Sequence, residues 1–324
     1  MRHDSKWILA LALTVAAWAQ TPRPPAASAP SPAQAPAAQR LEEVPNFTSE
    51  THVVNLPVTV LDRAGKLVTD FTRESFRILE NNVEQTIKTF KREDVPVSMC
   101  IIIDSSGSMK DRQASVSAAA IALVRASNPE DEVCFVNFND TAVLEQPFTT
   151  DIKKLEQSME SIASRGGTAM RNAVSAAIDY VKEKATRDKK VLVVVSDGYD
   201  NASNETTQEQ LVRSVRDAGV LVYSIGLLND LERSESGKAK RALNELTEAS
   251  GGFAYYPKDL MEVERITPQI AHEIRNQYLL TYTPLNDVLD GSYRKIKIEI
   301  KGAGRGATVR TRNGYYAGGG PGGK

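Results

Sequence analysis

Cysteine and histidine are scarce in this chain of 324 residues, which has two cysteines and three histidines. Structural zinc is usually held by four cysteine or histidine side chains. The available residues are spread along the chain and give no sensible set of zinc ligands (Cys100, Cys134, His3, His52 and His272). Charge is nearly balanced, with a formal net charge of −1 at pH 7. This balance gives no support for binding to nucleic acid or for general binding to membrane surfaces.

Apolar runs long enough to span a membrane are also missing from the N-terminal part of the chain. The run from Trp7 to Ala16 is too short, follows a basic segment and precedes a small-x-small pattern at residues 17–19. We therefore expect residues 1–19 to be a signal peptide, with an uncleaved anchor as the alternative. The mature chain would have no membrane span and would be exported, either to the periplasm or to the cell surface or medium. The Pro/Ala-rich residues 20–45 and the Gly-rich residues 317–324 are predicted to be a disordered linker and tail.

The two cysteines, Cys100 and Cys134, each lie in an apolar segment predicted to be a strand. Export permits a disulfide. The two strands are predicted to be central neighbours in one sheet, where the geometry of a bridge is demanding. Two buried thiols are therefore the favoured expectation, and a disulfide is the alternative.

Three loops carry the residues of greatest interest, and the first is Asp104-Ser105-Ser106-Gly107-Ser108. It follows the apolar run Val97–Ile103 and offers one carboxylate and two hydroxyls, which are hard oxygen ligands that suit Mg²⁺. An EF-hand is excluded, because the twelfth position counted from Asp104 is Ser115 instead of glutamate. The alternative is structural: Ser106 or Ser108 would cap a helix that begins near Met109.

The second loop is Arg165-Gly166-Gly167-Thr168, which is rich in glycine and leads into an amphipathic helix. The third is Ser196-Asp197-Gly198, which ends the apolar run Val191–Val195. In order and position, the three loops resemble those of a von Willebrand factor type A domain with a metal-ion-dependent adhesion site. There the first loop carries Asp-x-Ser-x-Ser, the second a threonine and the third an aspartate.

This resemblance implies a metal site made by five residues of this sequence (Asp104, Ser106, Ser108, Thr168 and Asp197). The two serines would bind the ion directly, the two aspartates directly or through water, and Thr168 when a ligand is engaged. The implied ion is Mg²⁺, with Mn²⁺ or Ca²⁺ as alternatives. Asp200 would either support a ligand or be a solvated loop carboxylate, and the second interpretation is favoured.

Residues 94–277 alternate between strands and helices, which predicts a doubly wound, mainly parallel six-stranded sheet with helices on both faces, an α/β fold. The predicted strands are Val97–Ile103, Val133–Phe138, Val143–Phe148, Val191–Val195, Val220–Ile225 and Gly252–Tyr256. Ligands in such folds bind beyond the carboxyl ends of the strands, which is where the three loops lie. The last helix, Leu260 to Gln277, moves in relatives that switch affinity, but a static helix is favoured here.

Short alternating strands flank this region at residues 46–93 and 278–316. Neither flank alone has enough strands for a good core, so we predict that they pair into one β-sandwich. The alternative is two separate appendages. The stretches Val60–Phe71 and Gln277–Pro284 resemble those of an exported bacterial group of von Willebrand A-related proteins, familiar from acidobacteria. Function across that group is poorly settled, so the resemblance implies no defined partner.

The leading functional hypothesis is an exported, metal-dependent module for protein binding or adhesion, in which an acidic residue of an unknown protein partner completes the coordination of the ion. A metal-dependent hydrolase is less favoured, since no histidine lies between Asp104 and Asp197, and the chain has neither a Gly-x-Ser-x-Gly elbow nor a Walker-type loop. We therefore expect no enzymatic activity. The remaining alternative is an envelope scaffold with a non-essential metal site. The basic run Lys182–Lys190 is favourable at a helix end without any ligand.

Overall fold

The structure is a computed structural model that describes residues 52–92, 94–160, 162–302 and 306–318. Every described residue belongs to one compact unit, which lies within residues 50–324. The predicted signal peptide and linker, and most of the predicted tail, lie outside the described residues.

Fourteen strands are found among the described residues. They are β1 (Val54–Leu61), β2 (Phe76–Glu80), β3 (Val83–Gln85), β4 (Ile87–Lys91), β5 (Val97–Asp104), β6 (Glu132–Phe138), β7 (Ala142–Thr149), β8 (Lys189–Ser196), β9 (Leu221–Gly226), β10 (Ala254–Tyr255), β11 (Tyr278–Tyr282), β12 (Tyr293–Ile300), β13 (Thr308–Arg310) and β14 (Gly314–Tyr316). The α-helices of the same part of the chain are α1 (Gln113–Ala126), α2 (Ile152–Glu160), α3 (Met170–Lys184), α4 (Gln208–Ala218), α5 (Arg233–Ser250) and α6 (Leu260–Arg275).

The central sheet has six strands in the order β10-β9-β8-β5-β6-β7, all parallel except β7, which runs antiparallel to β6. Its middle strands are apolar runs because both faces are covered. Two separate hydrophobic cores lie on the two faces, one packed with residues of α1, α2 and α6, the other with residues of α3, α4 and α5. The predicted α/β fold is therefore confirmed.

Glycines end two of the helices. Gly219 follows α4 with φ of 63°, and Gly251 follows α5 with φ of 87°, a left-handed conformation that suits glycine. The structural alternative for the first loop is wrong, because neither serine side chain caps a helix. A short 3-10 turn occupies Gly107–Met109, and α1 begins only at Gln113. Among the described residues, no helix combines the length and hydrophobicity needed to cross a membrane.

The flanks combine into two four-stranded sheets, with strand orders β13-β1-β11-β4 and β14-β12-β2-β3. Each sheet contains strands from both sides of the central region, for example β1 paired with β11, and β2 paired with β12. A third hydrophobic core lies between them, with alternate residues of β1 and β12 pointing inward. The predicted β-sandwich is confirmed, and the alternative of two separate appendages is wrong.

The structure joins Cys100 and Cys134 in a disulfide, so the expectation of two free thiols was wrong. The reason is register. The two residues are direct partners on the parallel strands β5 and β6, and their Cα atoms are 4.6 Å apart, a separation that a disulfide can span.

Candidate metal site

The first and third loops meet because β5 and β8 are neighbouring parallel strands. Ile103 and Val195 are partners near the carboxyl ends of these strands, so Asp104 and Ser196 emerge at the same edge of the sheet. The Ser196 hydroxyl donates to Asp104 Oδ2 at 2.6 Å, which links the two loops directly.

Asp104 is fully buried at this edge. The pKa of its carboxyl is raised to about 6, mainly by burial and to a smaller extent by the nearby carboxylate of Asp197, while hydrogen bonds from Ser196 and Ser106 oppose the rise. The backbone N–H of Ser106 donates to Asp104 Oδ1 at 2.8 Å. A positive charge at this position would stabilise the ionised form of a carboxyl that its surroundings now disfavour.

The oxygens of Ser106, Ser108 and Asp197 form a continuous chain beside Asp104. Ser106 Oγ and Ser108 Oγ are 3.1 Å apart, and the Ser108 hydroxyl donates to Asp197 Oδ1 at 2.8 Å. The side chain of Asp197 has no exposed surface. The structure thus brings together four of the five predicted site residues through hydrogen bonds.

Thr168, the fifth, is buried beside the third loop. A Cβ added to Gly198 would lie 3.0 Å from Thr168 Oγ1, so this threonine hydroxyl lies against the residue that follows Asp197. Asn201 fixes the backbone of Thr168 on both sides, since its Oδ1 accepts from Thr168 N at 2.9 Å and its own N–H donates to Thr168 O at 3.1 Å.

Asp200 is buried, so the favoured expectation of a solvated loop carboxylate was wrong. Its Oδ2 accepts from the backbone N–H of Arg171 at 2.7 Å and from Ser203 Oγ at 2.8 Å. Arg171 lies in the first turn of α3, a helix whose cap position, Ala169, provides no capping side chain. Asp200 therefore satisfies an open N–H at the start of the helix that follows Thr168, and fastens the second loop to the third.

The glycines of the second loop allow close approach. The N–H of Gly167 donates to Asp140 Oδ1 at 2.8 Å, and Gly107 N donates to Gly166 O at 3.1 Å. Gly166 has φ of 75°, and a Cβ there would lie 2.1 Å from Asp140 Oδ2. A larger residue would clash, so glycine is needed at this position.

Two residues that sequence reasoning missed contact the site. Arg112 donates through Nη1 to Asp197 Oδ2 at 2.6 Å, and its Nη2 donates to Asp230. Ser196 had a local signal, because it is the one polar residue in Val191–Ser196 and ends the strand. Arg112 had none, since its contact depends on how the first loop folds against residues about a hundred positions away.

The donor set of the five residues combines two carboxylates with three hydroxyls. The described residues contain no group of three or more His, Cys, Asp or Glu side chains able to hold a metal, and here only Asp104 and Asp197 are carboxylates. The rest of the set is hydroxyl oxygen. Adjacent ligands in an octahedral Mg²⁺ site are separated by about 2.9 Å, given metal–oxygen distances near 2.0–2.1 Å. The oxygen separations of 3.1 and 2.8 Å are hydrogen-bond distances, and they are also compatible with this spacing. The residues present therefore fit a hard divalent cation that keeps open positions.

Calcium-activated chloride channel regulator 1 is similar in sequence to this chain. The protein from Equus caballus is 25% identical over 169 residues, which cover 50% of this chain and 17% of the regulator. The protein from Macaca mulatta is 24% identical over 172 residues, with 51% and 17% covered. The chain thus matches only a small part of these curated relatives.

Two solved structures are similar in fold. A von Willebrand factor type A protein from Catenulispora acidiphila has a TM-score of 0.49 and 14% identity, with 84% of this chain and 74% of that chain covered. The von Willebrand domain of a type V pili tip protein from Porphyromonas gingivalis has a TM-score of 0.46 and 14% identity, with 56% and 97% covered.

The family model of the von Willebrand factor type A domain matches residues 99–199, a range that begins in β5 and includes all three loops. Domains of this family are typically modules for protein interaction. Residues 99–199 thus match this family, and they form part of the mainly parallel six-stranded sheet.

Proposed function

We propose that this chain binds a divalent cation, Mg²⁺ in the first instance, and uses it to bind an acidic group of a protein partner. Asp104, Ser106, Ser108, Thr168 and Asp197 would hold the ion. The protein would act as an exported interaction or adhesion module. This agrees with the match of residues 99–199 to a family whose domains are typically modules for protein interaction.

The observation that carries this proposal is the chain of oxygens that joins the first loop to the third. Asp104 and Asp197 are both buried, and both lie beside the hydroxyls of Ser106 and Ser108. Two carboxylates held close together repel each other when ionised, and this repulsion adds a small contribution to the rise in the pKa of Asp104 that burial chiefly causes. A bound cation removes this repulsion and makes the arrangement favourable.

The small number of carboxylates favours a partner with an acidic group. The two carboxylates would balance the charge of a divalent cation without exceeding it. The other three proposed ligands, Ser106, Ser108 and Thr168, are neutral hydroxyls. An ion held this way remains attractive to a carboxylate from outside. An acidic side chain on the partner would supply it, and the surrounding loops would set specificity.

The test is calorimetric titration of Mg²⁺ into the metal-stripped full chain, beside Asp104→Asn. The expected result is saturable binding to the parent chain and none to the variant, because asparagine keeps the shape but loses the charge. Asp287→Asn is the matched control, because Asp287 is exposed and its replacement removes the same charge away from the site. Circular dichroism would show that all three proteins are folded.

The acidic partner is tested with acetate as the probe. If a carboxylate completes the coordination, acetate should displace water from the Mn²⁺-loaded chain and lower the water proton relaxation rate. Saturable Mg²⁺ binding with no effect of acetate would support the metal site and contradict the role of the acidic group. No binding of Mg²⁺ to a folded parent chain would contradict both.

The absence of enzymatic activity and the export of the protein remain predictions. His272 Nδ1 forms a hydrogen bond with Asn276 Nδ2 at the C-terminal end of α6. The ring of His52 lies against that of Tyr315 in the sandwich. No observation favours a catalytic role for either histidine at the candidate site. We therefore put forward a binding function alone.

A further inference from the structure

A second candidate site lies away from the three loops. A cleft of about 750 Å³ opens where the sandwich meets the central domain, a volume that suits a ligand of small-molecule size. Its walls come from β1, the segment before β8, the end of α4 and the last strands of the chain. None of the five residues of the candidate metal site lines it.

The cleft is strongly basic. Six cationic side chains and two carboxylates line it, and the carboxylates are Asp188 and Asp217. Asp217 also pairs with Arg213, which lies outside the cleft, at 3.9 Å. The walls therefore carry an excess of positive charge, in a chain whose overall charge is close to zero.

In three arginines of the cleft, a buried N–H group has no hydrogen-bond acceptor. The Nε atoms of Arg187, Arg216 and Arg312 are inaccessible to solvent and make no hydrogen bond to any described residue. Arg187 is held by a bond from Nη2 to Glu130 O at 2.9 Å, and Arg216 lies 5.1 Å from the ring centre of Tyr293. Arg216 acts electrostatically on the carboxylate of Asp217, and Arg187 on that of Glu132, but neither pair of described residues is close enough for a salt bridge.

Arg312 is the most informative of the three. Its guanidinium lies 5.5 Å from the ring centre of Tyr315, and burial lowers its pKa. A guanidinium has five N–H donors in a planar fork that matches carboxylate and phosphate groups. Buried cations in proteins are normally paired, because leaving them unpaired is costly. The three arginines of the cleft are each only partly exposed, and an anion in the cleft would pair with their guanidinium charges.

We propose that this cleft binds a small molecule with two or more negative charges, carried by carboxylates or phosphates, with Arg187, Arg216 and Arg312 as its ligands. The basic run Lys182–Lys190 ends α3 as expected, and its residues beyond the helix, Arg187, Lys189 and Lys190, line the cleft. The proposal is independent of the metal site.

The probes are citrate and inorganic pyrophosphate, titrated calorimetrically into the full chain in metal-free buffer of low ionic strength. We expect saturable binding of at least one probe, weakened by added salt. Binding of citrate alone would identify a carboxylate ligand, binding of pyrophosphate alone a phosphate ligand, and binding of both an anion site open to either chemistry. No saturable binding of either probe at millimolar concentration would overturn the proposal.

Variants locate the binding. Arg312→Gln and Arg216→Gln should each weaken it roughly tenfold, as expected for loss of one charged hydrogen-bond donor. Arg241→Gln is the matched control, because Arg241 is exposed on α5 and lies outside the cleft. Asp104→Asn should bind the anion unchanged, which separates this site from the metal site. Equal losses in Arg241→Gln and the cleft variants, or full binding by folded Arg216→Gln and Arg312→Gln, would overturn the proposal.

Discussion

Replacing Arg112 with glutamine should make the candidate site bind Mg²⁺ more tightly. The guanidinium contacts Asp197 Oδ2 at 2.6 Å and also pairs with Asp230, so it supplies positive charge where the proposed ion would supply it. Any cation that uses Asp197 must compete with this contact. Glutamine removes the charge and keeps a polar side chain of moderate length.

The magnitude follows from the burial of the pair. A hydrogen bond to a charged group contributes roughly 1.5–3 kcal/mol. The side chain of Asp197 is 0% exposed, but that of Arg112 is 23% exposed, and partial exposure weakens an ion pair by screening. The lower end, about 1.5 kcal/mol, is therefore the appropriate value. It corresponds to about a tenfold lower dissociation constant for Mg²⁺.

The assay is calorimetric titration of Mg²⁺ into metal-stripped parent and Arg112→Gln chains. Arg125→Gln is the control, because Arg125 lies at the other end of the same helix, where it pairs with Glu156 and is 63% exposed. The two arginines are separated by roughly 20 Å along α1, beyond the screening length of about 8 Å at physiological ionic strength. The control should therefore leave the Mg²⁺ affinity unchanged.

An unchanged affinity in folded Arg112→Gln would refute the competition. A weaker affinity would mean that Arg112 positions Asp197 for the ion. Thermal unfolding gives a second readout. Without metal, Arg112→Gln should be less stable than the parent chain, because a buried carboxylate loses its partner, and Mg²⁺ should raise its midpoint temperature by more.

Reduction of the disulfide between Cys100 and Cys134, which are separated by 34 residues, should lower the free energy of unfolding in urea by about 4 kcal/mol. Two free thiols in the unreduced chain, measured by mass spectrometry after alkylation, would rule out the bridge. Burial lowers the pKa of Lys189 from 10.5 to about 8, so the unfolded chain holds this proton more tightly, and the free energy of unfolding should rise with pH across that window. Lys189→Met should remove this rise, and identical pH profiles for the two chains would contradict the pKa shift. Glu80 accepts hydrogen bonds from Tyr282 at 2.6 Å and Tyr315 at 2.9 Å. Glu80→Ala should therefore lower the free energy of unfolding in urea by roughly 3 kcal/mol. A decrease no greater than that of Glu84→Ala, a change at an exposed side chain on β3, would contradict a structural role for Glu80.

Features set by neighbouring residues were predictable from the sequence. The apolar runs predicted the central strands because strands buried on both faces need no alternation. Gly219 and Gly251 marked helix ends because their left-handed conformation is costly for other residues. The five proposed ligands were assigned by the resemblance of their loops to those of a von Willebrand factor type A domain, and their role in metal binding remains a prediction.

Features set by contacts between distant segments were not predictable in the same way. The disulfide depends on the register between β5 and β6, which no local pattern in the sequence specifies. Asp200 lies in a polar loop, which indicates exposure, yet it is buried because the start of α3 lacks a cap of its own. The contacts of Arg112 likewise depend on distant residues, namely Asp197 in the third loop and Asp230.

The sandwich bears on function through α6, the last helix of the central domain, which leads directly into β11. Glu273 on this helix is buried and accepts from Tyr255 at 2.7 Å and from Arg310 of β13 at 3.0 Å. Gln277, at the junction, donates to Thr59 of β1 at 3.0 Å. A shift of α6 along its axis would break a buried ion pair, at a cost of roughly 3–5 kcal/mol. A ligand moves such an equilibrium only by its difference in affinity between the two states. The sandwich thus favours a static α6, and a partner of modest affinity would bind at the loops without moving it.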